Sequence, residues 1–456
     1  MPTFIGKFQY QSPSGSVEQQ GACRLTFEQD RLTLVSDSDE PLALDLGDID
    51  VFGASDYELS LTVYTGSKIL LQQFGKAFQN LVHDLLEAYR ARLVRCLLLE
   101  DLEEVARFDG MVRLETSNPD HRPFAGPAEF RLYQSNLAVL PLGATGFQWR
   151  LADIESARLD DATYTVNLDS QGERLVASKL AKRTREFSER VTEGVRKLNE
   201  QAANVVRDTF PFLSPDQFQH VARLMKEGRA APLAALSAIH PRIEQALTEN
   251  VLDAPLKPYF GALKQLCWKG GAFAGFKLVR PHETGKPAPT VEETAQGDVA
   301  PEDTIDLDAR SAAAEVEQSQ PILHWFFFPL AGKGGDQVPA NLVAWEATSA
   351  TGRATYFFRL LPKDQAAQLQ DASRAPALVD AAIRQLNRAL VLLNFRREPI
   401  YLPDDSLKIQ PSFHRYVIAS RKIVDLRRLR AQFLGRAIHS SLPAWREQVN
   451  KILTIV

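Results

Sequence analysis

The sequence predicts an α+β protein with two tandem small β-barrel or sandwich domains, each closed by a C-terminal helix. A helical segment and a C-terminal α+β domain follow. Two observations carry this reading. A set of apolar residues recurs at a nearly constant offset of 104 to 106 positions, from Phe4 onward in one copy and Phe108 onward in the other. Within each copy, apolar alternation with period two gives way to apolar spacing of three and four, the change from strands to a helix.

The repeat is read residue by residue. Phe4-Ile5-Gly6 matches Phe108-Asp109-Gly110, and Leu25, Phe27, Leu32 and Leu34 match Phe130, Leu132, Leu137 and Val139. Asp48-Ile49 matches Asp153-Ile154, and Leu59, Leu61 and Val63 are aligned with Tyr164, Val166 and Leu168. Past one inserted residue, Phe74, Lys76, Leu81 and Leu85 match Leu180, Lys182, Phe187 and Val191. A period this long marks a duplicated domain rather than a solenoid. Alternation predicts Leu59, Leu61 and Val63 on a buried face, with Tyr164, Val166 and Leu168 in the same role. Turn formers at Gln29-Asp30, Asp37-Ser38-Asp39, Gly53–Asp56 and Thr65-Gly66-Ser67 separate about seven short strands. Phe78, Leu81, Leu85 and Tyr89 then form one helical stripe, as do Phe187, Val191, Val195 and Leu198.

A seven-stranded meander closed by one helix resembles the pleckstrin-homology-like superfold, including its GRAM-type relatives. The resemblance covers residues 1–98 and 106–206 and lies in the order of elements. Neither closing helix has the family's usual Trp; Phe78 and Leu81, or Phe187, stand on the apolar face instead. The resemblance implies a binding module, with phosphoinositide-binding relatives using cations in the first strand–strand loop. That loop holds no cation between Ser12 and Gln20, and only Arg122 between Asn118 and Pro123. A multiply charged headgroup needs several charge-assisted bonds, so headgroup binding there is not expected.

Residues 207–266 read as all-helical. Ser214-Pro215-Asp216-Gln217 is a helix start, and further helices are expected over Ala231–Ile239 and Arg242–Val251. Residues 267–456 form the C-terminal α+β domain. Its acidic insert, 281–320, carries ten acids against Lys286 and Arg310, and is expected to be disordered. Strands are expected at Phe273–Leu278, Ile322–Phe328, Leu342–Trp345 and Thr355–Phe358, with a helix near Pro376–Asn394. One reading is a third, diverged β-plus-helix module; without the constant offset, it stays open.

From Arg384 to Lys451 the chain has fourteen Lys and Arg against five acids. Ile423, Leu426, Leu429 and Phe433 read as one helical stripe surrounded by cations. Arg421, Lys422, Arg427, Arg428, Arg430 and Arg436 are the candidate polyanion or partner surface, with the acidic insert as its shield.

Chemistry-bearing motifs are absent from the sequence. Ala331-Gly332-Lys333-Gly334-Gly335 lacks the spacing and hydroxyl of a phosphate loop. The eight histidines show no metal-ligand spacing, and Cys23, Cys96 and Cys267 are far apart. No cofactor, metal or catalytic residue is expected. Lack of a signal-peptide pattern or a long apolar run leads to the expectation of a cytoplasmic protein without a transmembrane segment. The functional expectation is a non-enzymatic protein-interaction or scaffold protein. The alternative is nucleic-acid or anionic-membrane binding through the basic C-terminal region.

Overall fold

The computed structural model describes residues 3–28, 30–36, 40–116, 122–269, 271–279, 322–332, 335–348, 354–410 and 413–454. The expected turns at Asp37 to Asp39 and Lys333-Gly334, the loop Asn118 to His121, and the acidic segment 281–320 lie outside these. The fold is mixed α and β, with antiparallel sheets and helices. It divides into two compact units, Met1–Arg196 with His414–Val424, and Lys197–Phe413 with Asp425–Val456.

The first unit holds two seven-stranded sheets. One contains β1 (Thr3–Gln11), β2 (Val17–Glu28), β3 (Arg31–Ser36), β4 (Leu42–Asp45), β5 (Ile49–Ser55), β6 (Glu58–Val63) and β7 (Lys68–Gln72). The other contains β8 (Glu104–Thr116), β9 (Phe124–Tyr133), β10 (Asn136–Pro141), β11 (Phe147–Arg150), β12 (Ser156–Asp160), β13 (Thr165–Ser170) and β14 (Glu173–Ser178). Their strand orders correspond, β4-β3-β2-β1-β7-β6-β5 and β11-β10-β9-β8-β14-β13-β12. Helices α1 (Phe78–Cys96) and α2 (Thr184–Thr209) follow them. Alternate residues Phe4, Phe8, Leu25, Leu32, Leu34, Leu59 and Leu61 are buried, and Phe78, Leu81, Leu85 and Tyr89 of α1 join them in one core.

The glycine shared by the two opening strands has a packing cause. A Cβ on Gly6 would meet the Phe74 ring at 2.7 Å, and one on Gly110 would meet Leu180 at 2.8 Å. Phe74 and Leu180 stand just ahead of the closing helices, so each glycine makes room for the residue that leads into its helix.

Strand pairing corrects one stretch of the sequence alignment. Leu59 opposes Leu71, and Val166 opposes Ala177. Because Phe8–Leu71 and Val112–Ala177 are equivalent pairs, Leu59 corresponds to Val166 and Tyr57 to Tyr164. Leu59, Leu61, Val166 and Leu168 are fully buried, but Tyr164 is 69% exposed at φ 51° in a turn, like Tyr57. A two-residue slip keeps every strand residue on its own face, so alternation could not reveal it.

The second unit is built on one six-stranded antiparallel meander. Its strands are β15 (Ala231–Pro232), β16 (Phe273–Leu278), β17 (Ile322–Gly332), β18 (Gly335–Ala347), β19 (Ala354–Phe358) and β20 (Phe433–Ile438), in that spatial order. This consecutive order differs from that of the duplicated sheets, so it is not a third copy. One face, with Phe276, Phe326, Phe328, Ala344 and Phe357, shares a core with helices Pro215–Leu224, Lys257–Leu266 and Leu442–Leu453. On the other, the Trp325 indole donates to Asn387 of helix Ala375–Leu392 at 2.9 Å, and its ring lies 4.3 Å from Phe395. Burial on both faces explains why Trp325–Phe328 is continuously apolar.

Two helical expectations are corrected here. Residues 207–266 are not all-helical, since Ala231-Pro232 pairs with Phe273-Ala274 before helix Leu233–Ile239 begins. Ser214 does cap its helix: its hydroxyl accepts from Gln217 N, and Ser214 N donates to the Gln217 side-chain oxygen. The basic stripe is not one helix. It breaks between Lys422 and Val424, and Phe433 opens β20. Among the described residues, no helix is long and apolar enough to cross a membrane.

Candidate helix-receiving site

Helix His414–Lys422 belongs to the first unit, although more than two hundred residues separate it from the end of that unit's N-terminal part (Arg196 to His414). Tyr416, Val417, Ile418 and Ala419 are buried at its centre, with cations near both ends. Each of these cations meets an acid of the first copy or of the connector that follows it. Arg415 Nη1 lies 2.7 Å from Glu100 and 2.7 Å from Asp101. Arg421 Nη1 lies 2.8 Å from Asp48, and its guanidinium covers the Tyr64 ring at 4.8 Å. Lys422 Nζ lies 2.7 Å from Asp50 and also donates to the Ile49 carbonyl. Arg421 and Lys422 stand in the last helical turn, where positive charge complements the free carbonyls.

Local structure aims the receiving acids. The Asp45 carboxylate accepts from Gly47 N at 2.7 Å and starts the short turn Leu46–Asp48. Arg92 of α1 holds Asp45 through two 2.9 Å bonds and pairs with Asp30 at 3.0 Å. Ile49 pairs with Val63, and Val51 with Thr62, so Asp50 is a bulge residue. Bulges re-aim side chains, and here Asp48 and Asp50 flank the buried Ile49. Gly47 lets the helix approach: a Cβ there would meet Ile418 and the Cys96 thiol at 2.9 Å.

Burial pulls the Arg415 pKa down, but Tyr416, Glu100 and Asp101 outweigh it and hold it above the ordinary value. Burial pushes the Cys96 thiol up to about 12 against the opposing pull of Arg92 and Lys422. It also raises Cys23 to about 11 and Cys267 to about 12. Such thiols are almost wholly protonated at neutral pH and therefore poor nucleophiles. All three should resist a thiolate-selective disulfide reagent at pH 8 in the native chain and react once it is unfolded. Rapid native labelling of Cys96 would show that the site is open. Each folded thiol pKa lies above its unfolded value, so the stability it contributes is complete below about pH 8.5. That contribution is lost as pH rises towards the folded values.

The six residues of the candidate basic surface are divided between the units. Arg421 and Lys422 are on the captured helix, while Arg427, Arg428, Arg430 and Arg436 belong to the second unit. Arg430 donates to the carbonyls of Pro399 and Leu402 and pairs with Asp404 at 2.8 Å. Burial lowers its pKa against the pull of Asp404, and burial alone lowers that of Arg428. Arg436 covers the Tyr401 ring at 4.5 Å, and Arg427 is exposed. Sequence reasoning singled out two of the captured helix's cations but missed Arg415 and all four acids. The paired Asp48-Ile49 and Asp153-Ile154 were the only available signal.

The second unit has a buried polar network that the sequence did not reveal. Glu346 and Thr355 are wholly buried. Thr355 Oγ1 donates to Glu346 at 2.8 Å, accepts from the Trp445 indole at 3.0 Å and lies 2.9 Å from His439 Nε2. His439 stacks on Tyr259 with ring centroids 4.1 Å apart. Such a network fixes how strands and helices meet.

No family model matches the chain, and no curated protein matches it. Among solved structures, it is similar to the N-terminally truncated linker-DH/PH domains of p115-RhoGEF, with 13% identity and a TM-score of 0.17. The match covers 26% of this chain and 45% of the other, so the chain spans less than half the length of that structure.

Proposed function

We propose that this chain is a non-enzymatic protein-interaction protein whose two duplicated sheets, each with its closing helix, are tandem pleckstrin-homology-like modules that receive amphipathic helices. The captured helix 414–422 supports this reading. A buried apolar centre flanked by cations, set on two acids of the first copy and two of the connector after it, is how a module would hold a basic helical ligand. The same ion pairs weigh against the polyanion alternative. A phosphate ligand would have to draw Arg421, Lys422 and Arg430 away from Asp48, Asp50 and Asp404.

The test supplies the helix in trans. Arg415→Glu, Arg421→Glu and Lys422→Glu together should expel the chain's own helix, because each new carboxylate faces an acid. A fluorescent peptide of residues 413–424 should then bind the variant, and added salt should weaken binding. The wild-type chain should bind the peptide poorly, since its tethered helix competes at an effective concentration of about a millimolar. A folded variant that does not bind the peptide would count against the reading. A salt-dependent gel shift of an oligonucleotide by the wild-type chain would favour the polyanion alternative.

A further inference from the structure

The two copies differ in what covers the outer face of their first three strands. In the second copy that face is buried under α1 of the first. Tyr133, Ala138 and Leu140 belong to the same buried cluster as Leu93 of α1. Arg90 of α1 pairs with Glu129 at 3.0 Å, and the Gln148 amide donates to the Leu97 carbonyl. A Cβ on Gly146 would strike Leu93 at 2.5 Å, which shows how closely the helix approaches.

Strand register identifies the equivalent residues of the first copy. Asp109, Glu129 and Leu140 form one row across β8, β9 and β10. Ile5, Arg24 and Val35 form the matching row across β1, β2 and β3. Ile5 is 73% and Val35 43% exposed, with Arg24 exposed between them. The next row is Thr3, Thr26 and Thr33. Among the described residues, the first copy thus carries a mostly β-branched face around one exposed arginine, with Ile5 and Val35 exposed and Thr26 and Thr33 half-buried, while its duplicate carries an acid at that position and is covered. Exposed apolar surface of this kind is what partner binding buries.

We propose that the outer face of β1–β3 is a docking surface for an amphipathic helix of a protein partner, with an acidic side chain on that helix meeting Arg24. This inference rests on the helix-receiving reading above but concerns a different face. The helical form follows from the way the second copy takes α1. The acid follows from charge reversal: the helix that faces Glu129 carries Arg90, so one that faces Arg24 carries the opposite sign.

The probe is a labelled peptide of residues 78–97 with Arg90→Glu. Leu81→Gln and Leu85→Gln remove its second apolar face. The peptide should bind the full chain. Val35→Asp, a change at an exposed position, should abolish binding, and Arg24→Glu should weaken it about five-fold, as expected for an exposed ion pair. The same peptide with Arg90 restored should regain affinity for Arg24→Glu. Absence of binding, or equal affinity for all chain variants, overturns the proposal. A wild-type chain that sediments as a dimer, but as a monomer with Val35→Asp, overturns the partner assignment in favour of a second copy. If the 413–424 peptide binds its vacated face while this probe does not bind, only the present inference falls; if neither binds, both readings fall.

Discussion

Trp325→Ala should destabilise the second unit by about 3–5 kcal/mol, the usual cost of emptying a large aromatic site. Trp325 is fully buried and packs over Gly275, where a Cβ would meet its ring at 2.6 Å. Its indole satisfies Asn387, whose amide donates to the Gly228 carbonyl at 2.7 Å. Truncation therefore opens a cavity and also leaves a buried amide oxygen without its donor. Because the chain has two compact units, loss of the second unit should appear as an early denaturation transition. Followed by hydrogen exchange, amides of β16–β19 should lose protection while those of β1–β7 keep it. A midpoint within error of wild type would show that this face of the sheet is not the core described.

Ile418→Asp should release helix 414–422 without unfolding the sheets of the first unit. Ile418 is 5% exposed and lies against Gly47 and Cys96. An aspartate there would bury a carboxylate beside a thiol and a glycine, where the nearest cations, Arg92 and Lys422, are already engaged by Asp45 and Asp50. The desolvation cost of an unpaired charge is several kcal/mol. A nine-residue helix has little stability of its own, so it should leave the face rather than pay that cost. Amide exchange over residues 416–420 should rise by about a hundredfold or more, with β1–β7 unchanged. Loss of protection across all seven strands would instead show that the helix is an integral part of that fold.

The two seven-stranded sheets of matching order were legible because both segments keep apolar alternation in strands and helical spacing afterwards, and because Gly6 and Gly110 answer the same packing demand. Tyr164 was misplaced because a two-residue slip leaves period-two alternation unchanged. Strand β20 was hidden because Leu426, Leu429 and Phe433 continue helical spacing into a segment whose backbone pairs with β19. Ala231-Pro232 was too short to carry any periodicity. The candidate site was half legible: a cluster of cations was visible near the C-terminus, but its acids come from turns and a bulge in the first hundred or so residues. Asp48 and Arg421 are separated by 373 positions, and no local pattern encodes a pairing of that range. Glu346 and His439 were overlooked for the same reason, since each is unremarkable within its own strand or turn.

The most direct measurement of the central claim is a charge-exchange cycle at the captured helix. Asp48→Arg with Asp50→Lys places cations opposite Arg421 and Lys422; Arg421→Asp with Lys422→Asp places acids opposite Asp48 and Asp50. Combining all four changes restores attraction with the signs exchanged. Protection of the Val417, Ile418 and Ala419 amides is followed in the wild type, each double variant and the quadruple variant. The account predicts that protection falls in both double variants and recovers in large part in the quadruple variant, with coupling that weakens as salt is added. Equal protection in all four chains, or losses that simply add in the quadruple variant, would contradict the claim that the first copy holds this helix by recognising its charge.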